Sequence, residues 1–233
     1  MTTLNPSEKK RKTKKTKEAE PAEEPESPLA DFPIVFNMNE PSSDPKDKIR
    51  TIGLYGTIKE EVCSEIVFSL IVLDKLGKNV ELKDPSNPKS KEITTYEPIE
   101  LIISSYGGSA ADMFSVYDVM RDVRERCEIH TQGLGKVMSA AVLLLAAGTK
   151  GQRKIGRHCR IMIHGVISGQ HGHISDLENE MEEARWTQQQ YVRALAKETS
   201  MSQKYIKTLI DKKMNVYLTA QEAVDLGIAD IIV

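Results

Sequence analysis

Apolar residues recur at helical spacing from Glu60 to Leu76 (Val62, Ile66, Leu70, Leu73), and Gly77 stops the run. Just before it, Ile52–Gly56 reads as a short strand entering a turn. Lys78 to Pro98 is polar and alternating, with Pro85 and Pro88 near its centre, which predicts an inserted hairpin pairing Val80 and Leu82 with Ile93 and Thr95. Ile99–Ser104 is a compact apolar strand ending in a glycine turn, Ser-Ser-Tyr-Gly-Gly, and Met113, Val116, Tyr117, Met120 and Val123 mark an amphipathic helix after it. Cys127–Gln132 is expected to be the next strand. Gly133–Gly148 then reads as a glycine-rich turn followed by a buried helix over Ala140–Ala147, because Ala and Leu are strong helix formers.

Further on, Arg160–His164 is a short strand ending in a histidine, followed by the glycine-punctuated 165–172 and a long mixed-face helix from about Ser175 to Glu198. Helices are predicted over Ser202–Lys212 and over Leu218–Leu226, the latter opening Thr-Ala-Gln-Glu like a capped N-terminus, and Ile228–Val233 is a closing strand. The alternation of strands and helices predicts an α/β fold with a largely parallel sheet and right-handed crossovers. By periodicity alone, the long helix can either pack on another subunit or lie solvated on its own domain.

The first 48 residues do not share this pattern. Lysine dominates Glu8–Lys17, glutamate dominates Glu18–Glu26, and Pro21, Pro25 and Pro28 are interspersed. Such a segment buries too little surface to offset its ordering entropy, so a disordered extension is expected, with Phe32–Phe36 as a short strand or docking segment. The folded domain is expected over 49–233.

With 39% hydrophobic residues and a formal net charge of −2, the 233-residue chain reads as a soluble globular protein, with no general reason to bind nucleic acid. No apolar run is long enough to span a bilayer, and no apolar core follows the basic N-terminus as a secretory signal requires. Cys63, Cys127 and Cys159 are too scattered for a disulfide framework, which points to reduced thiols in a cytoplasm-like compartment. His171 and His173 form an H-x-H pair without acidic or cysteine partners at suitable spacing, so no metal site is expected. Dinucleotide and Walker patterns are absent, so no nucleotide site is expected either.

Three polar residues stand where an apolar element meets a loop: Ser139, His164 and Asp211. Each has a plain structural reading: a helix cap, a hydrogen-bonded core histidine, and a surface charge at a helix end. Together they are the set a serine hydrolase needs, with the imidazole between hydroxyl and carboxylate. The order Ser–His–Asp and the lack of a G-x-S-x-G elbow exclude the lipase and esterase arrangement. Lys136, three residues before Ser139, is read as a solvated lysine rather than half of a Ser–Lys dyad.

S-Y-G-G-S at 105–109, G-K-V-M-S-A-A-V-L-L-L-A-A-G at 135–148, R-I-M-I-H at 160–164 and Y-L-T-A-Q-E-A-V-D-L-G-I-A-D at 217–230 resemble the proteolytic subunit of the Clp protease, the ClpP family. The resemblance covers about 51–233. It implies the crotonase-like superhelical βα core with a projecting handle, the strand and helix of 165–198. It implies Ser139 as nucleophile, His164 as general base, Asp211 as orienting carboxylate, and backbone N–H groups of Gly107, Gly108 and Ala140 around the oxyanion.

The resemblance further implies two stacked heptameric rings enclosing a chamber. An ATP-driven AAA+ unfoldase such as ClpX or ClpA/ClpC would feed in unfolded polypeptides, this chain itself carrying no cofactor. Tyr106 stands where the family usually has Pro, and Ala140 where Met is common. The family's axial-loop sequence is not recognisable in 1–48, and the hairpin is longer than usual, as would suit a phage- or plastid-type member acting in host cytoplasm or stroma. Alternatives are a non-catalytic ring subunit, a viral maturation peptidase, and another crotonase-like enzyme acting on acyl-CoA.

Overall fold

The computed structural model describes residues 49–169, 171–211 and 215–233. The expectations for the charged extension and for Phe32–Phe36 lie outside the described residues. Within them, β1 (Thr51–Ile58), α1 (Glu60–Leu76), the pair β2 (Lys78–Leu82) and β3 (Glu92–Tyr96), β4 (Ile99–Gly108), α2 (Ala110–Val123), β5 (Ile129–Met138) and α3 (Ala140–Ala146) follow in order. The remainder is β6 (Lys154–Ile155), β7 (Arg160–Ile163), α4 (Ile174–Glu198), α5 (Gln203–Asp211), β8 (Val216–Leu218), α6 (Ala220–Asp225) and β9 (Ile231–Ile232). β2 and β3 pair antiparallel as a small sheet of their own, with Val80 opposite Thr94.

The main sheet runs β1-β4-β5-β6-β9, all parallel. β5 serves two neighbours along its length: Gln132 and Gly133 pair with β6, whereas Lys136–Met138 pair with β7. β7 in turn carries β8 antiparallel. The α/β class with a mostly parallel sheet is as the sequence predicts.

Two boundaries differ. Ser-Ser-Tyr-Gly-Gly is not a turn after β4 but its continuation, with Gly107 and Gly108 in register with Thr57 and Ile58 of β1. Likewise Gly133–Met138 is strand, not turn, because β7 offers a second edge on which β5 continues after a register shift against β4. The residues after β7, 165–169, are irregular; among the described residues the handle strand expected there is not formed, and no described strand pairs with the segment.

The core explains why α3 sits where it does. Every residue from Ala140 to Ala147 is buried, among them Leu143, Leu144 and Leu145, each contributing about 1.5–3 kcal/mol by leaving water. Two guanidinium groups hold the carbonyls at the end of this helix. Arg124 donates to Ala147 and Gly148, and buried Arg153 donates to Ala146. Arg153 also donates to the Glu198 and Gly227 carbonyls and pairs with the Asp230 carboxylate. Cationic groups at a helix C-terminus satisfy orphan carbonyls and complement the helix dipole. The C-terminal end of α3 is thereby tied to α4, to the turn after α6 and to the approach to β9, which leaves its N-terminal end facing the cleft.

Candidate active site

Ser139 joins β5 to α3. Its φ of 55° and ψ of −124° make it the single non-glycine residue with positive φ among the described residues. A residue in that region is held there by its surroundings at a cost of about 1–3 kcal/mol. Its N–H donates to Met162 O of β7 (2.8 Å), and its carbonyl accepts from Val142 N–H (3.1 Å) and from the Tyr191 hydroxyl (3.2 Å). Although Ser139 occupies the N-cap position of α3, its side chain makes no capping hydrogen bond. The hydroxyl turns instead to His164, with Oγ 2.7 Å from Nε2. The cap reading of this serine is thereby set aside.

His164 reaches that position by strand register. Met138 of β5 lies opposite Met162 of β7, so one residue further along β5 is Ser139 and two further along β7 is His164. Both strands end at the same edge of the sheet. Partial burial lowers the imidazole pKa below its ordinary value, keeping it neutral and able to accept a proton near neutral pH.

Gly107 lies against the serine from the β4 side. A Cβ there would fall 2.6 Å from Ser139 Cβ and 2.8 Å from Met138 O, and its φ of 98° disfavours any side chain. Its N–H donates to Ser105 Oγ (3.0 Å). Of the two glycines this leaves Gly108, which lines the cleft, with its N–H not committed to that bond.

The cleft in front of Ser139 has a volume of about 360 Å³, with Tyr106, Met113, Ala140, Val166, Ile167 and Tyr191 among its walls. Tyr106 is 68% exposed, and the Lys136 ammonium lies 4.7 Å from its ring centroid. Lys136 is therefore engaged with an aromatic face at the cleft's rim, as a cation–π partner.

Asp211 lines a hollow together with His164 but makes no hydrogen bond to it. It ends α5, is exposed, and shares with His164, Gln188 and Ile210 a second hollow of about 660 Å³ beside the first. Among the described residues no hydrogen bond joins a carboxylate to His164. The three cysteines are free and buried, and burial pushes the thiols of Cys63 and Cys159 up to about 11, which makes them poor nucleophiles. Among the described residues, no group of His, Cys, Asp or Glu side chains is arranged to hold a metal ion, and no helix is long and apolar enough to cross a membrane.

The sequence alone does not mark Tyr191 as functional; it falls in line with Leu177, Met181, Trp186, Val192 and Leu195 among the apolar positions of the long helix. A tyrosine in an otherwise apolar stripe is the signal available, since a buried phenol needs a partner.

A strained serine between a parallel strand and a buried helix, hydrogen-bonded to a neutral imidazole on the next strand, defines the class of a serine hydrolase. Comparison with known proteins places the chain within that class more narrowly. The family model described as Clp protease matches residues 91–233. The chain is 33% identical over 183 residues to the ATP-dependent Clp protease proteolytic subunit 1 of Prochlorococcus marinus subsp. pastoris, covering 78% of this chain and 83% of that protein. It is 33% identical over 192 residues to the proteolytic subunit 2 of Corynebacterium jeikeium, covering 81% and 82%. To the proteolytic subunit 1 of Corynebacterium diphtheriae it is 34% identical over 182 residues, covering 78% and 77%. The chain belongs to the Clp protease family, a family of serine endopeptidases.

Proposed function

We propose that this chain hydrolyses unfolded polypeptides to short peptides by an acyl-enzyme mechanism, inside a chamber built from copies of itself and fed by an ATP-driven Clp unfoldase. The observation that carries the reading is the 2.7 Å approach of Ser139 Oγ to His164 Nε2 at the mouth of an apolar cleft. Ser139 Oγ attacks the scissile carbonyl carbon as its proton passes to His164 Nε2. The N–H groups of Gly108 and Ala140 take the negative charge that develops on the carbonyl oxygen. The intermediate collapses, the C–N bond breaks, and His164 returns its proton to the leaving amine. Water, deprotonated by His164, then attacks the acyl carbon; the acyl C–Oγ bond breaks, His164 returns the proton to Ser139 Oγ, and the acid leaves.

Asp211 is the carboxylate to orient His164 and stabilise its charged form, a role that requires it to close the gap to the imidazole. That gap also favours a second reading, a ring subunit that works only beside an active paralogue. Peptidase assays on the purified chain, alone and mixed with such a paralogue, separate the two. The chemistry needs no cofactor in this chain; ATP is consumed by the unfoldase. Two stacked rings of seven, and a cytoplasm-like compartment, complete the proposal.

The test is covalent labelling of the full-length protein with a fluorophosphonate. Wild type is expected to be labelled at Ser139 and Ser139→Ala to remain unlabelled. An assembled wild-type protein that does not react would sink the reading.

A further inference from the structure

Helix α4 touches the site at two points. Tyr191, only 6% exposed, donates its hydroxyl to the Ser139 carbonyl at 3.2 Å. Gln188, one turn earlier on the same face, accepts the Val166 N–H on its Oε1 at 3.1 Å, two residues past His164. The approach depends on Gly165: a Cβ there would stand 3.0 Å from Gln188 Oε1 and 2.9 Å from Ile210 Cγ2. One helix face therefore holds the backbone of the serine and the backbone that follows the histidine.

We infer that Tyr191 and Gln188 are positioning residues, which set the strained Ser139 conformer and the path of the chain after His164 so that Oγ and Nε2 meet. The inference rests on the hydrolase reading above and deepens it.

Three features support it. Ser139 is the single described non-glycine residue with positive φ, so something must over-determine its backbone. Its carbonyl has two lone pairs, one bonded to Val142 N–H and the other available to the Tyr191 hydroxyl. Burial raises the Tyr191 phenol far above its ordinary pKa, so it remains a donor throughout the working pH range. A misplacement of reacting atoms by about 1 Å costs on the order of a hundredfold in rate, which sets the size of effect to look for.

The test uses full-length Tyr191→Phe, Gln188→Leu and Gln188→Glu, the last keeping an acceptor for Val166 N–H. Peptidase kcat and KM, fluorophosphonate labelling rate, melting temperature and assembled mass are measured at pH 8. Tyr191→Phe and Gln188→Leu are expected to lose about 10–100-fold in kcat and in labelling rate, with KM within about twofold and mass and melting temperature close to wild type. Gln188→Glu should retain most of the activity.

Wild-type kcat and labelling in both Tyr191→Phe and Gln188→Leu overturn the inference while leaving the hydrolase reading intact. So does a loss shared by Gln188→Glu that follows a lower melting temperature, since that marks packing alone. A wild-type protein that fails to label overturns the hydrolase reading and this inference with it.

Discussion

Ser139 and His164 each lie one residue beyond the point where β5 and β7 stop, and the chemistry follows from that placement. Neither side chain has a formal charge in the resting pair, so burial against the cleft costs little, and the same burial lowers the His164 pKa. The sign is direct: a lowered imidazole pKa means the base form persists to lower pH. The acid limb of kcat/KM is therefore expected to have its midpoint below the ordinary value of about 6.5, with a plateau through pH 7–8. Replacing Asp211 by Asn removes a negative charge from the hollow beside His164. The midpoint should then move lower still, while kcat falls by about 10²–10⁴ if the carboxylate orients the ring. A wild-type midpoint above 6.5 refutes the burial argument, and an Asp211→Asn enzyme with unchanged kcat removes Asp211 from the mechanism.

At the scale of elements, the sequence was most legible where apolar periodicity is long. α1, α2, α3 and α4 lie close to where the pattern puts them: α1 and α2 each bury one stripe, α3 is buried on all sides, and α4 is anchored by the apolar positions of its last turns. β6 and β8 were missed, since strands of two and three residues are too short to carry a period. The glycines of β4 and β5 were read as turns because glycine ordinarily ends a strand. Here they let strands pass close to Ser139 and bend from one neighbour to the next, which is a tertiary fact.

Arg153 was likewise illegible, its partners being scattered along the chain from Ala146 to Asp230. It is 3% exposed, and Arg153→Met would leave three carbonyls and the Asp230 carboxylate without it. Losing one partner of such a buried pair costs about 3–5 kcal/mol, to be read as a lower urea midpoint at pH 7. Burial alone would push the Asp230 carboxyl up, but the hydrogen bonds and charge of Arg153 outweigh it and hold the carboxyl below its usual range. A depressed carboxyl stabilises the fold above its unfolded pKa, about 3.9, and that contribution is lost as pH falls through the folded value. The difference between wild type and Arg153→Met should accordingly narrow below about pH 4. A constant difference from pH 7 to pH 3 would show that the charge plays no part.

At the scale of the molecule, the question is what a helix such as α4 is doing on a single chain. Its 25 residues extend about 37 Å, and the buried ones, Tyr191, Val192, Leu195 and Glu198, all lie in its last eight positions. The preceding turns expose Ile174, Met181 and Trp186, the last at 56%. Beside Trp186 a groove of about 480 Å³ opens between α2 and α4, with Phe114 and Tyr117 among its apolar walls and Arg121 and Arg193 at hand. Exposed aromatic surface with flanking arginines is the composition of an interface core and rim, and the chamber of identical subunits proposed above would seat a neighbouring copy against it. Light scattering on the full-length protein should therefore give a mass several times 26.1 kDa. Trp186→Glu, which puts a charge into the proposed contact, should shift the population to smaller species. Because Tyr191 and Gln188 lie on the same helix, the smaller species should also label more slowly at Ser139, although the substituted side chain is remote from the hydroxyl. If Trp186→Glu assembles like wild type, the groove is not an interface. If it dissociates yet labels at the wild-type rate, the site is complete in the single chain and α4 transmits nothing to it.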